Sequence, residues 1–145
     1  EIESMGAYAS WGGAEISPIQ SINQYFFFPP LKGIITNFFS PTQRHFGIDI
    51  VADTGEAIKS TLDGTVIFTG WTLEAGYTIA VQHANNLISV YKHNSVLLKE
   101  QGNFVKAGEV IAIIGDAGLY STGTHLHFEL WFNGNPVNPL DYIVF

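Results

Sequence analysis

The chain carries five histidines, at positions 45, 83, 93, 125 and 127. Two of them open short segments whose spacing suits metal chemistry. In His45-Phe46-Gly47-Ile48-Asp49-Ile50, an extended backbone puts positions i, i+2 and i+4 on one face. His45 and Asp49 then point one way with Gly47 between them, and Phe46, Ile48 and Ile50 point into a core. The missing side chain at Gly47 leaves a gap against which an ion could sit; a polar face on an edge strand gives the same pattern. In Thr124-His125-Leu126-His127-Phe128-Glu129-Leu130 the alternation is strict. His125, His127 and Glu129 share one face, and Leu126, Phe128 and Leu130 the other. Two neutral imidazoles at i and i+2 of a strand suit zinc or copper; two polar groups on a solvated sheet face would alternate in the same way. Glu129 could orient His127 from behind, although the pattern slightly favours a solvent-facing strand residue. Taken singly, His93 in Tyr91-Lys92-His93-Asn94 and His83 at the end of a strand read as surface histidines.

The chain has no cysteine. Disulfides, thiolate-bound zinc, iron–sulfur clusters and thiol nucleophiles are therefore excluded, and a metal must be held by His, Asp or Glu. The set His, Asp, His offers three donors and no fourth, as in catalytic zinc sites that keep one position open. The absence of His-Glu-x-x-His excludes a helix-based zinc protease, and no Gly-x-Ser-x-Gly is present. Gly115-Asp116-Ala117-Gly118 and Gly123 lack the Lys-Ser/Thr of a phosphate loop; they read as the turn feeding the His125 strand.

The elements that must position these residues are strands. The chain has 145 residues, 46% hydrophobic and 13% charged, which suggests one domain with an arm. A chain of this size buries roughly 68–70% of its unfolded surface. The net charge of −7 argues against a nucleic-acid binder and against docking on an anionic membrane. No apolar run reaches about 18 residues, so nothing here is read as spanning a membrane. No signal peptide is visible, and the start at Glu1 suggests a processed form or an excised piece. Val, Ile, Phe and Tyr alternate with polar residues at Gly47–Val51, Gly64–Trp71, Tyr77–His83, Leu87–His93, Glu109–Gly115 and His125–Phe132, which predicts strands. Ala84-Asn85-Asn86 joins the third and fourth as a hairpin. Asn138 caps a short helical turn that starts at Pro139. No segment holds a helical period over three turns.

A weak internal echo links Gly55-Glu56-Ala57-Ile58, leading into Asp63-Gly64-Thr65-Val66, with Gly102-Asn103-Phe104-Val105-Lys106, leading into Ala107-Gly108-Glu109-Val110. It suits an all-β sandwich or barrel built from pseudo-repeated halves. Residues 1–32 are irregular and read as an arm or linker, with Phe26–Phe28 as a strand or strap over the core. Trp71, Tyr91 and Trp131 read as packing residues.

Together, His45-x3-Asp49, Tyr91-x-His93 and Gly123-Thr124-His125-Leu126-His127-Phe128-Glu129 resemble the signature of the lysostaphin-type, or LytM-domain, zinc metallopeptidases of peptidase family M23. The segments Gly55–Ile58 to Val66, Gly76–Ile79 to His83, Val105–Val110 to Gly115, and Asn138-Pro139 follow in family order. The resemblance covers about residues 33–143. Thr124 stands where the family usually has Pro, and the loop Ser40–Arg44 before His45 is short. The resemblance implies a single antiparallel β core of the duplicated-hybrid-motif type with few or no helices, in a peptidase domain at 33–145. It implies one zinc held by His45, Asp49 and His127, with His93 and His125 as the catalytic pair. The implied activity is endopeptidase cleavage of stem peptides or cross-bridges in bacterial peptidoglycan, outside the cytoplasm. An envelope protein partner or an inhibitory N-terminal segment fits the same resemblance. The alternative is a non-catalytic adaptor that activates a cell-wall amidase; such relatives lose one or more of the five positions, and all five are present here. A sugar-transport phosphocarrier has a similar barrel and a histidine pair, but lacks the His-x3-Asp set and the Gly-Thr-His-Leu-His run.

Overall fold

The computed structural model describes residues 10–11, 14–15, 26–115 and 123–145. β1 (Ser10–Trp11) and β2 (Ala14–Glu15) pair with each other and, among the described residues, with no other strand. The other strands are β3 (Ile34–Asn37), β4 (Ile48–Val51), β5 (Ala57–Lys59), β6 (Gly64–Thr72), β7 (Gly76–Gln82), β8 (Leu87–Leu97), β9 (Phe104–Val105), β10 (Val110–Ile114), β11 (His125–Phe132) and β12 (Asn135–Val137). They form one sheet ordered β3-β4-β11-β8-β7-β6-β9, with β10 joined to β8 and β5. All pairings are antiparallel. β4 pairs with β11 over His125–Phe128, and β12 takes over at Leu130–Phe132. Helical structure among the described residues is limited to 3-10 turns at Pro41–Gln43 and Pro139–Asp141. At the second, the Asn138 side chain accepts a hydrogen bond from the Leu140 N–H at 3.1 Å, the cap read from the sequence. No helix is long and apolar enough to cross a membrane among the described residues.

The alternating apolar residues make the core. Ile48 and Ile50 of β4, Ile79 and Val81 of β7, Leu87 and Tyr91 of β8, and Leu126, Phe128 and Leu130 of β11 are fully buried. Each such side chain contributes about 1.5–3 kcal/mol of transfer free energy. Phe27 and Leu31, ahead of β3, belong to the same cluster. Their strap is fixed by Phe28 N–H donating to the Thr61 carbonyl at 2.8 Å and Lys59 N–H to Pro30 at 2.9 Å. Residues 1–9, 12–13 and 16–25 of the arm lie outside the described residues, as does the glycine turn from Asp116 to Thr122.

The internal echo has a structural meaning. Its two short strands are β5 and β9, and its two long strands are β6 and β10. β5 pairs with β10, and β9 pairs with β6. Each copy thus donates its short strand to the long strand of the other. β5, β9 and β12 have three residues or fewer, too short to show a period of two, and β3 reads Ile34-Ile35-Thr36-Asn37, which does not alternate.

Three packing readings are corrected. Trp71 is 53% exposed because β6 and β7 run on beyond the core as a projecting hairpin. Phe46 is partly exposed, since β4 begins only at Ile48. His83 is buried, 6% exposed, and not a surface residue. Its Nδ1–H donates to the Asp63 carbonyl at 2.7 Å, and Nε2 accepts from Ser89 Oγ at 2.7 Å. Thr61 N–H donates to the Tyr91 hydroxyl at 3.0 Å, which lies 2.8 Å from Ser89 Oγ. The chain of hydrogen bonds therefore runs Thr61 to Tyr91 to Ser89 to His83. Burial pushes the Tyr91 hydroxyl up to about 12.

Burial also pushes His83 down to about 4 from its ordinary 6.5. The unfolded chain then binds the proton more readily, so stability is full above pH 6.5 and falls as pH drops towards 4. Urea titrations across this window should show a loss of up to about 3 kcal/mol that is absent in His83→Gln. An equal slope in both proteins would contradict the buried neutral imidazole.

Candidate metal centre

The centre is built where β4 meets β11. Their register sets Asp49 opposite His127. Both side chains leave the sheet on the face opposite Ile48, Ile50, Leu126 and Phe128, as strand parity requires. His45 arrives differently. It lies outside β4, on a tight loop closed by Ser40 N–H donating to the His45 carbonyl at 2.8 Å and His45 N–H to Ser40 at 3.0 Å. Arg44, at φ 57°, turns the chain within that loop. The single extended strand His45–Ile50 is therefore corrected: a loop, and not parity, brings His45 over Asp49.

Gly47 is the hinge of this geometry. A Cβ there would lie 2.4 Å from the Phe128 carbonyl oxygen and 3.0 Å from His127 Nε2. The space left by the missing side chain is taken by β11 and the His127 ring.

The donors converge tightly. One ligand atom from each of His45, Asp49 and His127 lies within 4.8 Å of the others. His45 Nδ1–H donates to the Phe38 carbonyl at 2.8 Å, so Nε2 keeps its lone pair. That Nε2 is buried, 3.2 Å from Asp49 Oδ2, with no hydrogen-bond partner among the described residues. His127 Nδ1–H donates to Asp49 Oδ1 at 2.8 Å, and Nε2–H to Glu129 Oε2 at 2.8 Å. Asn37 of β3 steadies Asp49 through Oδ2 at 3.3 Å. Burial alone would raise Asp49, but the His127 hydrogen bond and the neighbouring imidazoles hold it at about 2. Burial likewise opposes charge on His127, yet two carboxylates raise its pKa. A lone buried imidazole nitrogen, a carboxylate held ionised and an imidazole that binds a cation's worth of charge fit a divalent metal of borderline softness.

Glu129 is also corrected. It is 8% exposed and not solvent-facing. Besides His127 it accepts from Trp131 Nε1 at 2.9 Å and faces Lys92 Nζ at 3.4 Å. Burial raises its carboxyl, but these partners hold it at about 2. The signal was in the sequence: Trp131 continues the His127–Glu129 face at period two, and a half-buried indole N–H needs an acceptor. Asn37 left no such trace.

His93 and His125 stand beside this group, their ring centroids 4.6 Å apart, with His93 6.4 Å from His127. His125 Nδ1–H donates to the Gly123 carbonyl at 3.0 Å, which leaves Nε2 as the basic nitrogen. All four histidines named from the sequence thus meet in one place, whereas His83 sits in the core. A groove of about 480 Å³ opens here, lined by Phe68, Thr72, Glu74, Lys92, His93 and His127.

An antiparallel β domain that brings a two-histidine, one-carboxylate group beside a histidine pair is the arrangement to set against known proteins. The profile of peptidase family M23 matches residues 43–139, and the chain belongs to that family. It is 40% identical over 111 residues to the murein hydrolase activator NlpD of Salmonella typhimurium, covering 76% of this chain and 29% of that protein. It is 42% identical over 96 residues to the DD-carboxypeptidase/endopeptidase Mpg of Neisseria gonorrhoeae, covering 66% of this chain and 22% of that one. A zinc-containing peptidase from Vibrio cholerae superposes with a TM-score of 0.72 at 32% identity, covering 77% of this chain and 37% of that chain. The chain thus spans less than a third of the curated relatives named here.

Gly47→Ala tests the hinge. Overpacking against β11 should cost about 1–3 kcal/mol in denaturant titrations and shift the His127 ring resonances. Wild-type stability with unmoved His127 signals would contradict the close approach.

Proposed function

We propose that this domain is a zinc-dependent endopeptidase acting on peptide bonds in the stem peptides or cross-bridges of bacterial peptidoglycan, on the outer side of the cytoplasmic membrane. We take residues 33–145 as the peptidase domain, with the Phe27–Leu31 strap sealing its core. The observation that carries the reading is the convergence of His45, Asp49 and His127 beside the His93–His125 pair, with His93 and His127 lining one groove.

His45, Asp49 and His127 would hold the metal. Once bound, zinc supplies Lewis-acid polarisation of the scissile carbonyl and lowers the pKa of water towards ~7. The remaining work falls to the chain. Phe38 fixes the His45 tautomer so that Nε2 faces the site. Glu129 takes the Nε2–H of His127 and so presents Nδ1, on the Asp49 side. One histidine of the His93–His125 pair accepts the proton of the attacking water; the other hydrogen-bonds the developing oxyanion and helps protonate the leaving amine. His125 acts through Nε2, because Nδ1–H is committed to Gly123.

The similarity to NlpD supports a second reading, a module that activates another envelope hydrolase. Similarity to Mpg and a complete set of five residues favour catalysis. Purified protein incubated with peptidoglycan should release shortened muropeptides, identified by mass spectrometry. Chelation, His127→Ala and His125→Ala should each reduce release by at least about 10²-fold. Zinc-loaded protein that leaves peptidoglycan intact but stimulates an amidase would overturn the peptidase reading in favour of the activator.

A further inference from the structure

We infer that Asn94 is a positioning residue whose side-chain amide clamps the backbone bulge that turns His93 out of the core and onto the groove. The inference rests on His93 being one of the reacting histidines.

Strand parity alone would bury His93. Ser89 and Tyr91 on β8 are both fully buried on the core face, and two residues further along the same face comes His93. The ladder with β7 breaks that parity. Tyr91 pairs with Ile79 and Asn94 with Tyr77, so Lys92 and His93 together stand opposite Thr78 alone. Two residues against one is a β-bulge, and bulges redirect side chains. His93 takes φ 71°, a left-handed conformation uncommon for a residue with a Cβ. The redirected ring lies 4.6 Å from that of His125.

Asn94 spans this irregularity. Its Nδ2 donates to the Tyr91 carbonyl on its own strand at 3.0 Å and to the Tyr77 carbonyl on β7 at 3.0 Å. Both partners are acceptors, so the amide orientation is forced. Asn94 is fully buried, and its Oδ1 has no hydrogen-bond partner among the described residues. A buried unpaired oxygen is destabilising by about 1–3 kcal/mol. A leucine would remove that unpaired oxygen, but it would also take the two donated hydrogen bonds from the Tyr77 and Tyr91 carbonyls. The two donated hydrogen bonds hold carbonyls on either side of the residue pair that bulges. The backbone of His93 itself is tied by its N–H to Ala75 at 2.8 Å and its carbonyl to Gly115 at 3.1 Å. Asn94 locks the conformation those two bonds leave to be chosen.

The test uses zinc-loaded wild type, Asn94→Leu and Asn94→Ser, the last keeping one donor. Imidazole nitrogen–proton correlation spectra should show the His93 signals displaced in Asn94→Leu, with those of His45 and His127 unmoved and zinc content unchanged. On peptidoglycan, kcat should fall about 10²-fold with KM within about two-fold, as for a reacting group misplaced by an ångström, and Asn94→Ser should recover part of it. A folded Asn94→Leu with wild-type His93 signals and kcat overturns the inference. Should Asn94→Leu not fold, the wild type decides: the Asn94 side-chain NH2 should exchange slowly with solvent, and exchange at the rate of an exposed amide overturns the clamp. Displaced His93 signals in Asn94→Leu, together with a zinc-loaded wild type that hydrolyses no peptidoglycan, would sustain the clamp while removing the peptidase reading.

Discussion

The site depends on one cross-strand pair, Asp49 against His127. Each is an expensive group to take out of water, and each makes the other tolerable. Asp49 stays ionised because His127 donates to it, and His127 binds a proton readily because Asp49 and Glu129 flank it. The pair exists only in one register of β4 on β11. A slip by one residue would send Asp49 into the core and Ile48 or Ile50 to the groove. The apolar residues that alternate with the candidate ligands are what forbid that slip. Fold and site are therefore specified by the same residues read on opposite faces.

Around that pair the supports come from every side of the sheet. β3 supplies Asn37 and the chain after it supplies the Phe38 carbonyl; β11 supplies Glu129 and Trp131; β8 supplies Lys92 and, through its bulge, His93. The reciprocal exchange of β5 and β9 ties the two halves of the sheet together, and the groove lies over β6, β7 and β8 and ends at His127 of β11.

How much of this was legible follows from the physics of each position. His125, His127 and Glu129 lie on a regular strand, so period two named their face correctly. The same rule failed for His45, which a closed loop delivers, and it would have buried His93, which a bulge rescues. Periodicity cannot see either, because each breaks the period. Glu129 was placed on the right face but assigned to solvent, since the sequence does not show how deep a face lies below its loops. Trp71 failed in reverse: a strand that outruns its core keeps the pattern and loses the cover. His83 ends its strand like a surface residue, yet Ser89 and the Asp63 carbonyl satisfy it in the interior. The bringing together of His45 and His93 with the β11 histidines was visible only through family resemblance.

Zinc K-edge X-ray absorption on the loaded protein bears most directly on the metal site. One zinc per chain with nitrogen and oxygen neighbours at about 2.0–2.1 Å and two imidazole contributions is expected, with one imidazole lost in His45→Ala. Failure to retain zinc, or a spectrum that neither His45→Ala nor His127→Ala alters, would contradict a site built on the Asp49–His127 pair.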